Sequence, residues 1–145
     1  MEKFTIYITN NDILQQVYAQ SAFYCAHNES RRILTVDNER MLLLKIKEGY
    51  NDFVVKAGRY LEFANYNPNS ETNNIYLTFN FSSFKSIDFQ ISLKDSIISM
   101  LSNFVLMKYY GEIDDRGFQF GSSIFYLEWR RYRCKILISF AQDLL

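Results

Sequence analysis

Ile75-Tyr76-Leu77-Thr78-Phe79-Asn80-Phe81 and, four residues later, Ser86-Ile87-Asp88-Phe89-Gln90-Ile91 are the stretch on which the fold turns. Both runs alternate with period two and are rich in aromatic and β-branched side chains, the pattern of a half-buried strand. Only Ser82-Ser83-Phe84-Lys85 lies between them, so residues 75–91 predict a β-hairpin.

Outward from that hairpin the periodicity becomes helical. Upstream, Leu42, Ile46, Tyr50, Phe53, Ala57 and Leu61 keep one stripe, predicting a long helix over 37–63 with Asp37 and Glu39 at the positive end of its dipole. Gly49 and Gly58 fall inside it, each costing about 1 kcal/mol relative to alanine. Close approach of another helix is one reason to keep glycine there. Residues 64–74 are rich in Asn, Ser and Thr and hold Pro68, which reads as a loop. Nearer the N-terminus, Ile13, Leu14, Val17, Ser21, Tyr24 and Cys25 share a face and predict a helix over 11–27. Thr9-Asn10-Asn11-Asp12 supplies its capping side chains, and Phe4–Ile8 reads as a short strand or extended arm. The connector from 27 to 36 carries Arg31 and Arg32.

Downstream, Ser92 followed by Asp95 resembles a capping box, and Leu93, Ile97, Leu101 and Phe104 predict a helix over 93–110. Residues 112–121 read as a charged loop or a second small hairpin. A fourth helix is expected over 123–143, although 118–127 could instead begin as a strand. The expected class is mainly α with a β-hairpin (α+β): a small helical bundle with a protruding hairpin, forming a single domain over 1–145. One proline and five glycines in 145 residues suit long helices better than many tight turns.

Composition narrows the function classes. The 16 basic residues balance 16 acidic ones, so the chain as a whole has no electrostatic preference for DNA or an acidic membrane. Apolar residues at 48% support a packed core, and disorder is not expected. Cys25 and Cys134 read as buried free thiols of a reducing compartment. No run approaches the ~18 apolar residues of a spanning helix, and the start Met1-Glu2-Lys3-Phe4 holds no signal-peptide stretch, so a soluble, non-secreted protein is expected.

Signals for catalysis are sparse. His27 is the sole histidine, and no neighbouring motif offers it an orienting partner or a nucleophile; a helix-terminal role suits it better. Glu112, Asp114 and Asp115 beside Arg116 read as a solvated loop cluster. Gly117 and Gly121 around Phe118-Gln119-Phe120 read as turn punctuation, and neither common glycine-rich phosphate loop is present. No zinc-type ligand spacing or acidic calcium loop occurs. No enzyme, cofactor or metal site is therefore expected. The most suggestive local feature is Trp129-Arg130-Arg131-Tyr132-Arg133 with Lys135. Such a cluster suits a nucleic-acid backbone, a protein interface, or a solvated helical face with snorkelling arginines.

The order of elements resembles the head–tail connector (adaptor or head-completion) proteins of tailed bacteriophages. The echoes are Asp37-Asn38-Glu39-Arg40-Met41-Leu42-Leu43-Leu44 opening a long helix and Ala57-Gly58-Arg59-Tyr60-Leu61 near its end. Ser92-Leu93-Lys94-Asp95-Ser96-Ile97-Ile98 running to Tyr109-Tyr110 adds a third. The opening Ile8-Thr9-Asn10-Asn11-Asp12-Ile13-Leu14 is similar to proteins from phages and prophages of gut Bacteroides-type bacteria. Together these cover roughly residues 8–110. One departure is that Asn-rich residues stand where typical connectors have a proline-rich segment before the strands.

The resemblance implies a virion protein of the neck, assembled in the host cytoplasm, that forms a ring with itself, commonly a dodecamer. Its implied partners are the portal protein, other tail or neck proteins, and DNA passing through the channel without sequence-specific contact; no membrane is implied. Ring contacts are heterologous, so one patch must meet a different patch on the neighbour. The candidate interface residues are Tyr76, Phe79, Phe81, Phe84 and Phe89 of the hairpin and Trp129, Arg130, Arg131, Tyr132 and Arg133 of the last helix. The competing class is a small intracellular regulatory or nucleic-acid-binding protein that uses the Trp129–Lys135 cluster.

Overall fold

Residues Ile75–Phe81 form a strand, as their alternation predicts, but their partners lie elsewhere than in 86–91. In the computed structural model, which describes residues 2–26, 33–113 and 122–142, the order is β1 (Glu2–Ile8), α1 (Asn10–Ala26), α2 (Glu39–Ala57), β2 (Leu61–Tyr66), β3 (Ile75–Phe81), α3 (Ile87–Ile113) and α4 (Ser122–Gln142). Single 3-10 turns, Val36–Asn38 and Gly58–Tyr60, stand before and after α2. The three strands make one antiparallel sheet in the order β1-β3-β2. β3 pairs with β1 from Glu2↔Phe81 to Ile8↔Ile75, and with β2 from Leu61↔Phe79 to Tyr66↔Ile75.

The class is mainly α with a β-hairpin: four helices among the described residues and one small antiparallel sheet. The hairpin is β2–β3, joined through 67–74, and not 75–91. It also lies on the helices instead of protruding. Ile75, Leu77, Phe79 and Phe81 are all 0% exposed on one face of β3, so the central strand is the floor of the core.

Why 86–91 is helical follows from its first residue. The Ser86 hydroxyl accepts a hydrogen bond from the Phe89 N–H at 3.1 Å, and the Ser86 carbonyl accepts from the Gln90 N–H at 3.1 Å. That is an N-cap, with Asp88 in the first turn at the positive end of the dipole. Ser92 and Asp95, read as a capping box, are instead inside the helix. The predicted long helix is shorter for a complementary reason. α2 stops at Ala57, the chain tightens over Gly58–Tyr60, and Leu61 enters the sheet opposite Phe79. Residues 64–66, read as loop, complete β2.

α3 is the axis of the molecule. It packs most extensively on α4, then on α2 and α1, and it reaches β1. From Ile97 to Tyr110, buried residues point to several sides, among them Ile97, Met100, Leu101, Phe104, Val105 and Tyr110. Gly49 allows α2 close. A Cβ there would stand 2.9 Å from Phe104 Cδ1 and 3.2 Å from Leu101 Cδ2. At Gly58 a Cβ would meet nothing within 4 Å, so close helix approach explains the first glycine alone.

The sheet closes on α4 through rings. Phe140 is 0% exposed and stacks at 4.8 Å on Tyr60, 5.6 Å from Phe81 and 5.7 Å from Phe79. Burying side chains of this size contributes about 1.5–3 kcal/mol each. At the other end, Ser21 of α1 and Tyr110 of α3 share a hydrogen bond of 2.8 Å, and the Leu34 N–H donates to Ser21 Oγ at 2.8 Å. The described helices include none long and apolar enough to cross a membrane.

Candidate functional site

A helix presents five consecutive residues in five directions, about 100° apart. The Trp129–Arg133 run therefore does not form a single patch on α4. Trp129 is half-buried, its ring 6.1 Å from Phe104, and Arg133 lies over it at 4.5 Å, one helical turn on. Arg133 Nε is buried with no hydrogen-bond partner among the described residues, so the stacked contact is what holds the group. Arg131 points the other way. It is exposed, pairs with Glu128 at 2.7 Å and lies 4.7 Å from the Tyr132 ring. The hydrogen bond and charge of Glu128 raise the pKa of Arg131 above its usual value. Arg130 and Lys135 are exposed, and no ion pair holds them among the described residues.

The aromatic residues expected on a hairpin surface separate into four environments. Phe79 and Phe81 are core residues and cannot contact a partner; this corrects their assignment to an interface. Phe89 is half-buried on α3, edge-on to Phe81 at 5.7 Å and to Phe4 at 6.5 Å. Phe84, between β3 and α3, is 72% exposed. Tyr76 sits on the outer face of the sheet, edge-on to Tyr7 at 5.2 Å.

Residue pattern alone does not indicate that outer face, because nothing local in sequence pairs β1 and β2 with β3. The face carries Tyr7, Phe63 and Tyr76, with the Thr5–Thr78 hydroxyl bond of 2.9 Å between strands. The Lys3–Glu62 pair, 2.8 Å, closes one end. Charge there is internally balanced, and the Tyr7 and Phe63 rings are exposed with Tyr76 half-buried between the strands, which suits a flat protein contact. A second surface is the outward side of α4, where Ile124, Leu127 and Ile138 are 53%, 61% and 57% exposed. Cys134 is exposed on that side, against the expectation of burial; Cys25 is buried as expected.

Two grooves flank α4. One of about 560 Å³ runs against α3 and includes Phe89, Ser96, Cys134, Lys135 and Ile138. The other, about 470 Å³, opens between α1 and α4 and is lined by Phe23, Tyr24, Ile124, Phe125 and Tyr132. The described residues contain no group of three or more His, Cys, Asp or Glu able to hold a metal ion. The raised phenol pKa values of Tyr110, Tyr66, Tyr50 and Tyr18 have burial as their first cause and are features of packing. His27 and the Asp114–Asp115 cluster lie outside the described residues, as do Arg31, Arg32 and Gly117–Gly121. Comparison of the chain with protein-family models, with curated proteins and with solved structures gives no match.

Proposed function

We propose that this chain is a structural subunit of a phage head–tail connector ring, acting by contact and not by chemistry. The observation that carries the reading is that the molecule has two unlike exposed surfaces on separate elements. One is the charge-balanced aromatic outer face of the sheet, around Tyr7, Phe63 and Tyr76. The other is the basic and apolar outward half of α4, around Arg130 and Leu127. A heterologous ring needs two different patches that fit each other, and arginine against aromatic rings is a favourable pairing. Aromatic and Arg residues are also the types that carry most interface energy. The element order adds the resemblance to connector proteins, whose rings sit beneath a portal and extend its channel.

Duplex binding through the Trp129–Lys135 cluster is less well supported by the geometry. A nucleic-acid backbone needs several cations on one face. Here Arg131 is engaged by Glu128 and Arg133 by Trp129, which leaves Arg130 and Lys135.

Native mass measurement of the chain, alone and mixed with the portal protein of the same phage, tests the reading. Closed multimers with the portal are expected, and Tyr76→Ala or Arg130→Ala should weaken them. A chain that stays out of any portal complex would sink the proposal. So would tight, steeply salt-dependent DNA binding lost on Arg130→Ala.

A further inference from the structure

α4 is apolar on two sides. One side buries Phe125, Ile136 and Phe140 in the core. The opposite side carries Ile124, Leu127, Arg131, Cys134, Ile138 and Ala141, all exposed. Their spacing is three, four, three, four and three residues. That is the a/d repeat of a coiled-coil seam, continued over most of the 21-residue helix. A helix with one apolar stripe buries it in its own domain; a second stripe at heptad spacing is addressed to another helix.

We propose that α4 pairs antiparallel with α4 of a second copy of this chain along this seam. Charge chooses the second copy and its direction. In an antiparallel pair the a residues of one helix lie against the d residues of the other. Leu127 then packs on Ile138 of the second copy, Ile124 on Ala141, and Arg131 on Cys134. The flanking e positions are Glu128 and Lys135, and this register puts Glu128 of each copy beside Lys135 of the other, twice by symmetry. Glu128 bonds Arg131 through Oε2, which leaves its other oxygen for that lysine, and Lys135 has no ion pair among the described residues. At the g positions Arg130 meets Leu137, without like-charge contact. A parallel pair would instead set Arg131 on Arg131 and Arg130 beside Lys135, opposing like charges in both places. The seam thus excludes one orientation and favours the other. The contact is isologous and covers the same outward half of α4 that the heterologous ring contact uses, so the dimer and the ring are alternative states of one surface.

One helix pair buries less than a standard interface, so association in the micromolar range is expected. Sedimentation equilibrium of the full chain, at concentrations up to about 100 µM, should reach twice the 17.3 kDa chain mass. Leu127→Glu, at an exposed position, should leave the helical circular-dichroism spectrum unchanged and give a monomer. Glu128→Lys should weaken the dimer about tenfold, and adding Lys135→Glu should restore it. A wild-type monomer throughout, a dimer indifferent to Leu127→Glu, or a charge swap that fails to restore pairing overturns the proposal. Loss of portal binding with the dimer intact would fault the connector reading alone.

Discussion

At the scale of single residues, Asn74 does more than its place at the end of a polar loop suggests. Its Oδ1 accepts from the buried Asn10 N–H at 2.7 Å, while its Nδ2 donates to the Asn67 and Ser70 carbonyls at 2.9 and 3.1 Å. Its own N–H donates to the Ile8 carbonyl at 3.1 Å. One 5%-exposed side chain therefore ties the start of α1 to the turn of the β2–β3 hairpin. Asn74→Ala leaves a buried N–H without a partner, and a loss of about 2 kcal/mol in urea unfolding is expected. Asn74→Asp keeps the acceptor but sets a buried carboxylate oxygen against the Asn67 and Ser70 carbonyls, so it should lose at least as much. Gly49 tests close packing in the same way. Alanine would gain about 1 kcal/mol of helix propensity, but overpacking typically costs about 1–3 kcal/mol. The new methyl would meet the Phe104 ring, which is 6% exposed and has Trp129 at 6.1 Å, so the ring has little room to move. Gly49→Ala is expected to lower stability by about 1 kcal/mol; a rise in the unfolding midpoint would show that the ring yields.

At the scale of elements, α3 shows what a cap decides. Ser86→Ala should cost about 1 kcal/mol and Ser86→Gly only a few tenths, because the hydroxyl satisfies the Phe89 N–H while glycine still tolerates the cap conformation. Equal losses from the two would mean that the cap contributes nothing. The same residue explains where sequence reading succeeded and failed. Ile87 and Ile91 are 71% and 53% exposed, one helical turn apart on the solvent side, and with half-buried Phe89 between them they imitate strand alternation. In α2, Leu61 continues the stripe of Leu42, Ile46, Tyr50, Phe53 and Ala57, yet it belongs to β2; a stripe does not show where the backbone leaves the helix. Capping chemistry was legible at α1, where Thr9 and Asp12 bond each other's backbone at 3.0 and 3.1 Å. The candidate surfaces were legible by residue type and not by direction. Arginine and aromatic residues marked α4 and β3, but the inward turn of Phe79 and Phe81 depends on strand partners far away in sequence. The three-four spacing on α4 was present in the sequence and needed only exposure to become informative.

At the scale of the whole molecule, four tyrosines link stability to pH. Burial is the leading cause that raises Tyr18, Tyr50, Tyr66 and Tyr110 above the ordinary phenol value of 10.0, since a phenolate would have to form away from water. Tyr110 is raised furthest: it is 1% exposed, and its hydroxyl bonds Ser21 at 2.8 Å and lies 3.5 Å from Cys25 Sγ. The folded chain then holds these protons more tightly than the unfolded chain. Their contribution is fully present below the unfolded value and is lost as pH rises through the folded ones. Urea midpoints should therefore begin to fall near pH 10, more steeply than one titrating group would allow. Tyr110→Phe separates the hydrogen bond from the titration. At about pH 8 it should cost about 1 kcal/mol, because Ser21 loses one partner while keeping the Leu34 N–H. Phenylalanine does not ionise, so the gap to the wild type should narrow as the pH passes 10 and the wild-type tyrosine begins to favour unfolding. Parallel curves for the two chains would show that Tyr110 keeps an ordinary phenol in the fold, and the alkaline loss would then have to come from the other three.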